Sequence, residues 1–235
     1  ASRSLELAEL RLAEAQTMAQ AGKPGFVQSL ARDYEKEIAS SNAAVASIEN
    51  PEMKKVASER VAMATLHHAD VLDVVKGQLP DQARHAIADA RETSMQGNIR
   101  SLRMLASEDP ERAAEIAIQA AQGRAEKARV AAENGDEQGA VEAAEEYKEY
   151  ERFGQEISVT ARQLGKDPTK IDELVERARS IHITVLEEVR AKVPDGARQF
   201  IDEALGESIK SEKSSADPDN DTLQDDDAVG GGPEE

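Results

Sequence analysis

The chain has 235 residues, a net charge of −18, no Cys, no Trp and only 3% aromatic residues. The lack of Cys excludes disulfides, thiolate zinc sites, iron–sulfur clusters and a Cys nucleophile. Few aromatics with abundant Ala, Glu and Arg suit closely packed helices rather than sheets, and Lys and Arg interleaved with Glu leave no basic face for nucleic acid or an anionic membrane surface.

Read from the N-terminus, proline and glycine mark the elements. Helices are expected over 3–21, 25–48, 51–78 and 81–106, then over 110–133, 137–164, 168–192 and 195–212. Pro24, Pro51, Pro80, Pro110, Pro168 and Pro194 read as helix openers, because the first helical turn tolerates a residue with no N–H. Asn50, Asp109 and Asp167 precede three of these prolines and have the side chains of N-caps. Gly22, Gly135 and Gly165 stand where the preceding helices should stop. Connections of two to four residues make successive helices antiparallel neighbours. No apolar run approaches the roughly 18–20 residues that cross a bilayer, so no membrane insertion is expected.

The chain is written twice. Pro80-Asp81-Gln82-Ala83-Arg84 returns as Pro194-Asp195-Gly196-Ala197-Arg198, and His68-Ala69-Asp70-Val71-Leu72 returns as His182-Ile183-Thr184-Val185-Leu186, both 114 residues on. Tyr34 and Tyr147 match at an offset of 113. A near-constant offset over this span is an internal duplication. The expected fold is therefore all-α: a tandem duplication of an antiparallel four-helix unit, eight helices in all, followed by a disordered acidic tail. The expected boundaries are 1–107 for the first unit, 108–213 for the second and 214–235 for the tail. The loop at Ser107-Glu108-Asp109 is too short for a free linker, so the units should dock rather than swing. From Ser214 to Glu235 there are eight acidic residues and no Lys or Arg, a composition that cannot offset its ordering entropy by burial.

The third helix of each unit carries a His at the centre of an apolar stripe. The stripe is Ala57, Val61, Ala64, His68, Val71 and Val75 in the first copy, and Ile171, Val175, Ala178, His182, Val185 and Val189 in the second. A His so placed is either a metal ligand or pH switch, or a core side chain hydrogen-bonded to a neighbouring helix. The second reading is preferred, since a metal needs three or four converging ligands and each unit shares only one His. Tyr34 and Tyr147 lie on apolar faces of the second helices, and the core His of the same unit is the natural partner for each hydroxyl. Arg84 and Arg198 should pair with acidic residues of a neighbouring helix; anion binding is the alternative. In the tail, Asp217, Asp219, Asp221 and Asp225 begin like a calcium loop, but Thr222 and Ala228 stand where such a loop needs Gly and Glu. A solvated charge run is preferred over a weak calcium site. No other cofactor is expected, and no set of residues matches a catalytic motif.

At His68-Ala69-Asp70-Val71-Leu72 and at Pro80 to Ala90, with their second copies, the chain resembles an uncharacterised family, a domain of unknown function, of exported, all-helical proteins of archaea and bacteria. Ala13-Glu14-Ala15, Gly22-Lys23-Pro24 and Tyr34-Glu35 read similarly. The second copy departs from it where Asn134-Gly135-Asp136 replaces the Gly-Lys-Pro turn. The resemblance implies export and a helical fold, and no catalysis. A start at Ala1-Ser2, without Met, fits a signal peptide cut between small residues. The expected protein is thus non-enzymatic and extracellular or in the cell envelope. It would act through self-association or a protein partner, as in a surface assembly or filament. The alternative is an extracytoplasmic cation-binding protein using the acidic tail and the repeated His residues.

Overall fold

The computed structural model describes residues 1–215. Among them are eight α-helices and no strand: α1 (Ser2–Gln20), α2 (Pro24–Ala46), α3 (Pro51–Gly77), α4 (Asp81–Glu108), α5 (Pro110–Glu133), α6 (Glu137–Gln163), α7 (Thr169–Lys192) and α8 (Asp195–Ser215). The expected elements are all present. The expected tail lies almost wholly outside the described residues.

Local chemistry sets the ends. Pro24, Pro51 and Pro110 open their helices, whereas Pro80 and Pro168 stand one step earlier, as N-caps. Asn50 accepts from the Met53 N–H at 2.9 Å, and Asp109 from the Arg112 N–H at 3.1 Å. Asp136 does the same for Gly139 at 2.9 Å, replacing the proline that opens α2 with an acidic cap. Gly22, Gly135 and Gly165 all have φ near +70°, the left-handed turn that closes a helix and that only Gly adopts without strain.

The helices form four antiparallel hairpins, α1–α2, α3–α4, α5–α6 and α7–α8, stacked in two layers. Within the first four helices α1 packs on α3 and α2 on α4; within the second four, α5 packs on α7 and α6 on α8. The scheme is the same in both, so the duplication read in the sequence is a duplication of structure. The units join where α4 packs on α5 and α6 and where α3 meets α5. Ser107 and Glu108 are helical, and Asp109 alone connects α4 to α5, ending one helix and capping the next. Its carboxylate pairs with Lys55 of α3 at 2.7 Å. Burial raises the Asp109 carboxyl, but the Lys55 and Arg112 hydrogen bonds outweigh it and hold it below its ordinary value.

Two cores result. The first holds Leu5, Tyr34, Ile38, Leu72 and Ile87. The second is thinner and Ala-rich, with Ala113, Ala117 and Ala121 of α5 facing Ala140 and Ala144 of α6, which lets those helices approach closely. It reaches back to Ile99, Leu102 and Leu105 of α4. Each such Leu or Ile contributes roughly 1.5–3 kcal/mol by leaving water, so the second half of α4 is bound into the second core. The stripe around each His is displaced from the expected one. Leu72 and Leu186 are buried, while Val71, Val175 and Val185 are only half-buried. Four residues after the His returns closer to the core direction than three do, because α4 and α5 set where that direction lies.

Candidate functional site

The repeated Tyr and His meet in both units. His68 and His182 are each 2% exposed. The Tyr34 and His68 rings stand edge to face with centroids 5.6 Å apart, and Tyr147 and His182 do so at 5.4 Å. In the first unit the Tyr34 hydroxyl donates to Ser94 Oγ at 2.8 Å, and Ser94 donates to the Thr65 carbonyl at 2.8 Å. With its proton committed to Ser94, the Tyr34 oxygen accepts from His68 Nδ1, 3.3 Å away. The imidazole proton therefore sits on Nδ1.

The second unit wires the same residues differently. Tyr147 donates to Glu151 Oε2 at 3.1 Å and lies 2.9 Å from Ser208 Oγ. Glu151 is held by Arg179 at 2.8 Å, a buried ion pair. At the matched positions of the first unit stand Ile38 and Thr65. His182 Nδ1 is left without a hydrogen-bond partner among the described residues. Burial, then the adjacent His67, lowers His68 to a pKa of about 4; burial, then the Arg179 charge, lowers His182 to about 4. Both rings are neutral at pH 7. Burial likewise drives the Tyr34 and Tyr147 hydroxyls far above their ordinary value.

Ser94 and Ser208 were absent from the sequence reading, yet they are 114 residues apart. Extending the Pro80 and Pro194 match by four residues finds them. No such signal marks Glu151 and Arg179, because neither is repeated.

Arg84 and Arg198 require a correction. Among the described residues, neither reaches an acidic residue of a neighbouring helix. Arg84 pairs with Asp81 at 2.9 Å and donates to the Leu79 carbonyl, and Arg198 pairs with Asp195 at 2.5 Å. Both acids lie three residues earlier, in the first turn of the same helix, so the short local pair wins over a longer reach. Asp217, Asp219, Asp221 and Asp225 lie outside the described residues. Within those residues, no group of three or more His, Asp or Glu is arranged to hold a metal.

A cluster of charged side chains lies at the seam between the units. Arg91 of α4, 8% exposed, makes a two-pronged pair with Glu146 of α6. Its Nε lies 2.6 Å from Asp73 of α3, a close ion pair outside straight hydrogen-bond geometry. Arg124 of α5, 3% exposed, approaches Glu146 at 3.4 Å and Asp70 at 3.5 Å. Lys127 also contacts Asp73. Burial pushes the Glu146 carboxyl up, against the pull of Arg91, Arg124 and Lys127. Alongside, Tyr150 of α6 donates to Asn98 of α4 at 3.1 Å, and Asn98 donates to Thr65 of α3 at 3.2 Å. Thr65 thus links the first unit's Tyr–Ser chain to the seam.

Above the cluster, α4 and α6 diverge into an open groove of about 730 Å³. Its walls carry both signs. Lys76 pairs with Glu142 at 2.7 Å across it, and Arg103 with Glu156 at 3.0 Å beside it. Charges paired across a cleft project little field, so the groove serves the packing of the units more than the capture of a charged ligand.

Residues 1–82 match the model of a family described as a domain of unknown function, DUF5667. The match runs through α1, α2 and α3 and ends just inside α4. No curated protein matches the chain. Among solved structures it is similar to a circular tandem repeat protein with novel repeat topology and enhanced subunit contact surfaces, with a TM-score of 0.58 and 19% identity over 91% of this chain. This chain spans 46% of that one, about half its length. It is also similar to the DHF79 filament, with a TM-score of 0.57, 19% identity, and 86% and 95% of the two chains covered. The DHF119 filament gives a TM-score of 0.57 and 16% identity, with 94% and 100% covered. At these identities the likeness is one of fold.

Proposed function

We propose that the chain is a non-enzymatic structural protein, a repeat building block that acts by associating with further copies of itself in an assembly outside the cytoplasm. The observation that carries this reading is the seam. Buried charges and an alanine-rich core tie the two units into one continuous two-layer array, and a one-residue connection removes the freedom to hinge. A stack of hairpins of this kind presents long lateral surfaces and extends by adding like units. The Tyr34, His68, Tyr147 and His182 side chains are enclosed and cannot meet a substrate, and the groove over the seam neutralises itself. The likeness to filament proteins supports the reading at the level of fold. Export rests on the resemblance to a family of exported helical proteins.

Light scattering coupled to size exclusion, over micromolar to millimolar protein, tests the assembly. The expected result is a mass that rises with concentration. A strict monomer throughout would overturn the proposal. Fractionation of the native cells tests export, with recovery from the envelope or medium expected; recovery from the cytoplasm alone would remove that part.

A further inference from the structure

We propose that the outer face of α3 is a self-association surface on which a second copy of this chain docks antiparallel, α3 against α3. The inference rests on the reading of the protein as self-associating and names the surface that does it.

Six exposed residues form one line along α3: Val56, Arg60, Met63, His67, Asp70 and Val74. Val56 is 64% exposed, Met63 38% and Val74 51%. Their spacings alternate between four and three, which is the seam of a two-stranded coiled coil. The line lies opposite the buried face of Val61, His68, Leu72 and Val75, so it is the outermost strip of the helix. The matched strip of α7 exchanges the pattern, with Leu174, Ile181 and Thr184 in the places of Arg60, His67 and Asp70. There Lys170, Arg177 and Glu188 take the places of Val56, Met63 and Val74, 114 residues on.

Charge selects the occupant and its direction. In an antiparallel pair the two kinds of seam position face each other. A two-fold axis near Thr65 then places Val56 against Val74, Met63 against His67, and Arg60 against Asp70 of the second copy. By symmetry each contact forms twice, giving apolar ends and two ion pairs. A parallel pair would instead set Arg60 on Arg60 and Asp70 on Asp70, which repel. Within one chain these two charges are only loosely held. Arg60 lies 3.7 Å from Glu6, and Asp70 lies 3.5 Å from Arg124 and 3.7 Å from Lys127. Contacts this long, with at least one exposed side chain in each, hold little energy.

The test is a charge swap read by sedimentation or light scattering on the full chain. Arg60→Asp alone and Asp70→Arg alone should each weaken self-association tenfold or more, because each sets like charges opposite one another. An equimolar mixture of the two variants, and the double variant, should regain it, because both arrangements restore opposite charges. A triple variant, Val56→Lys, Met63→Arg and Val74→Glu, carries the side chains α7 already tolerates and should also lose association while keeping its helix content. If the single-charge variants associate like the parent chain, or the mixture fails to recover, the α3 surface is overturned while self-association elsewhere stands. If the parent chain stays monomeric at millimolar concentration, or a different protein occupies the face of that monomer, the proposal fails together with the reading beneath it.

Discussion

His68 and His182 show, at the scale of one residue, burial and a neighbouring positive group acting together, with burial the larger cause. Each ring has left water, and each titrates near 4 rather than at the ordinary 6.5. A depressed pKa fixes the sign of the pH effect. Between about pH 6.5 and 4 the unfolded chain binds a proton at each His and the folded chain does not, so stability falls as pH drops through that window. A fall from 6.5 to about 4 corresponds to about 3 kcal/mol per ring at the lower end of that window. In the second unit Arg179 adds to the effect by repelling an imidazolium, while Glu151 is occupied by Arg179 and Tyr147. Chemical denaturation at a series of pH values should show the full slope in the parent chain. His68→Gln with His182→Gln should flatten that window, leaving only the carboxylate contribution. An unchanged slope in the double variant would show that these rings do not supply it. The sequence could place the two His and two Tyr side chains, because they are repeated and sit on apolar faces. It could not assign their hydrogen bonds, which depend on Ser94, Ser208 and Glu151 arriving from other turns and other helices.

Between elements, α2 packs tightly on α4 at Gly97. A Cβ there would lie 2.7 Å from Ile38 Cγ2 and 3.2 Å from Asn42 Nδ2. Ile38 is fully buried and β-branched, so its methyl has nowhere to turn. Alanine is the better helix former by about 1 kcal/mol, yet overpacking of this kind costs roughly 1–3 kcal/mol. Gly97→Ala should therefore destabilise the fold by up to about 2 kcal/mol, seen as a lower denaturation midpoint with an unchanged slope. A stabilised variant would mean that α2 and α4 separate freely. Helix positions were legible because Pro, Gly and capping side chains act within a few residues of where they stand. The close approach was not, since Gly97 in sequence is simply a poor helix former in the middle of α4.

For the whole molecule, the seam decides whether two units behave as one. Glu146 faces Arg91 and Arg124, both nearly inaccessible, and its removal leaves buried guanidinium charge poorly compensated. Glu146→Ala should cost about 3–5 kcal/mol and separate the unfolding of the two units into distinguishable steps. The exposed pair of Arg103 with Glu156 spans the same seam, and Arg103→Ala should cost under about 1 kcal/mol. Calorimetry of both variants checks the contrast. Equal effects would show that burial of the Glu146 cluster adds nothing.

Composition, helix punctuation and the near-constant offset determined, without any structure, that this chain is two copies of an antiparallel four-helix unit. Those signals are local or repeated, and a local preference is expressed wherever the segment lies. Tertiary structure alone decided the pairing of Arg84 and Arg198 with acids on their own helices and the different wiring of Tyr34 and Tyr147. It also decided the charged seam at Glu146 and the exposure of the Val56-to-Val74 strip on α3. Each depends on which face a neighbouring helix covers, and a repeat read along the chain says nothing of what lies across it.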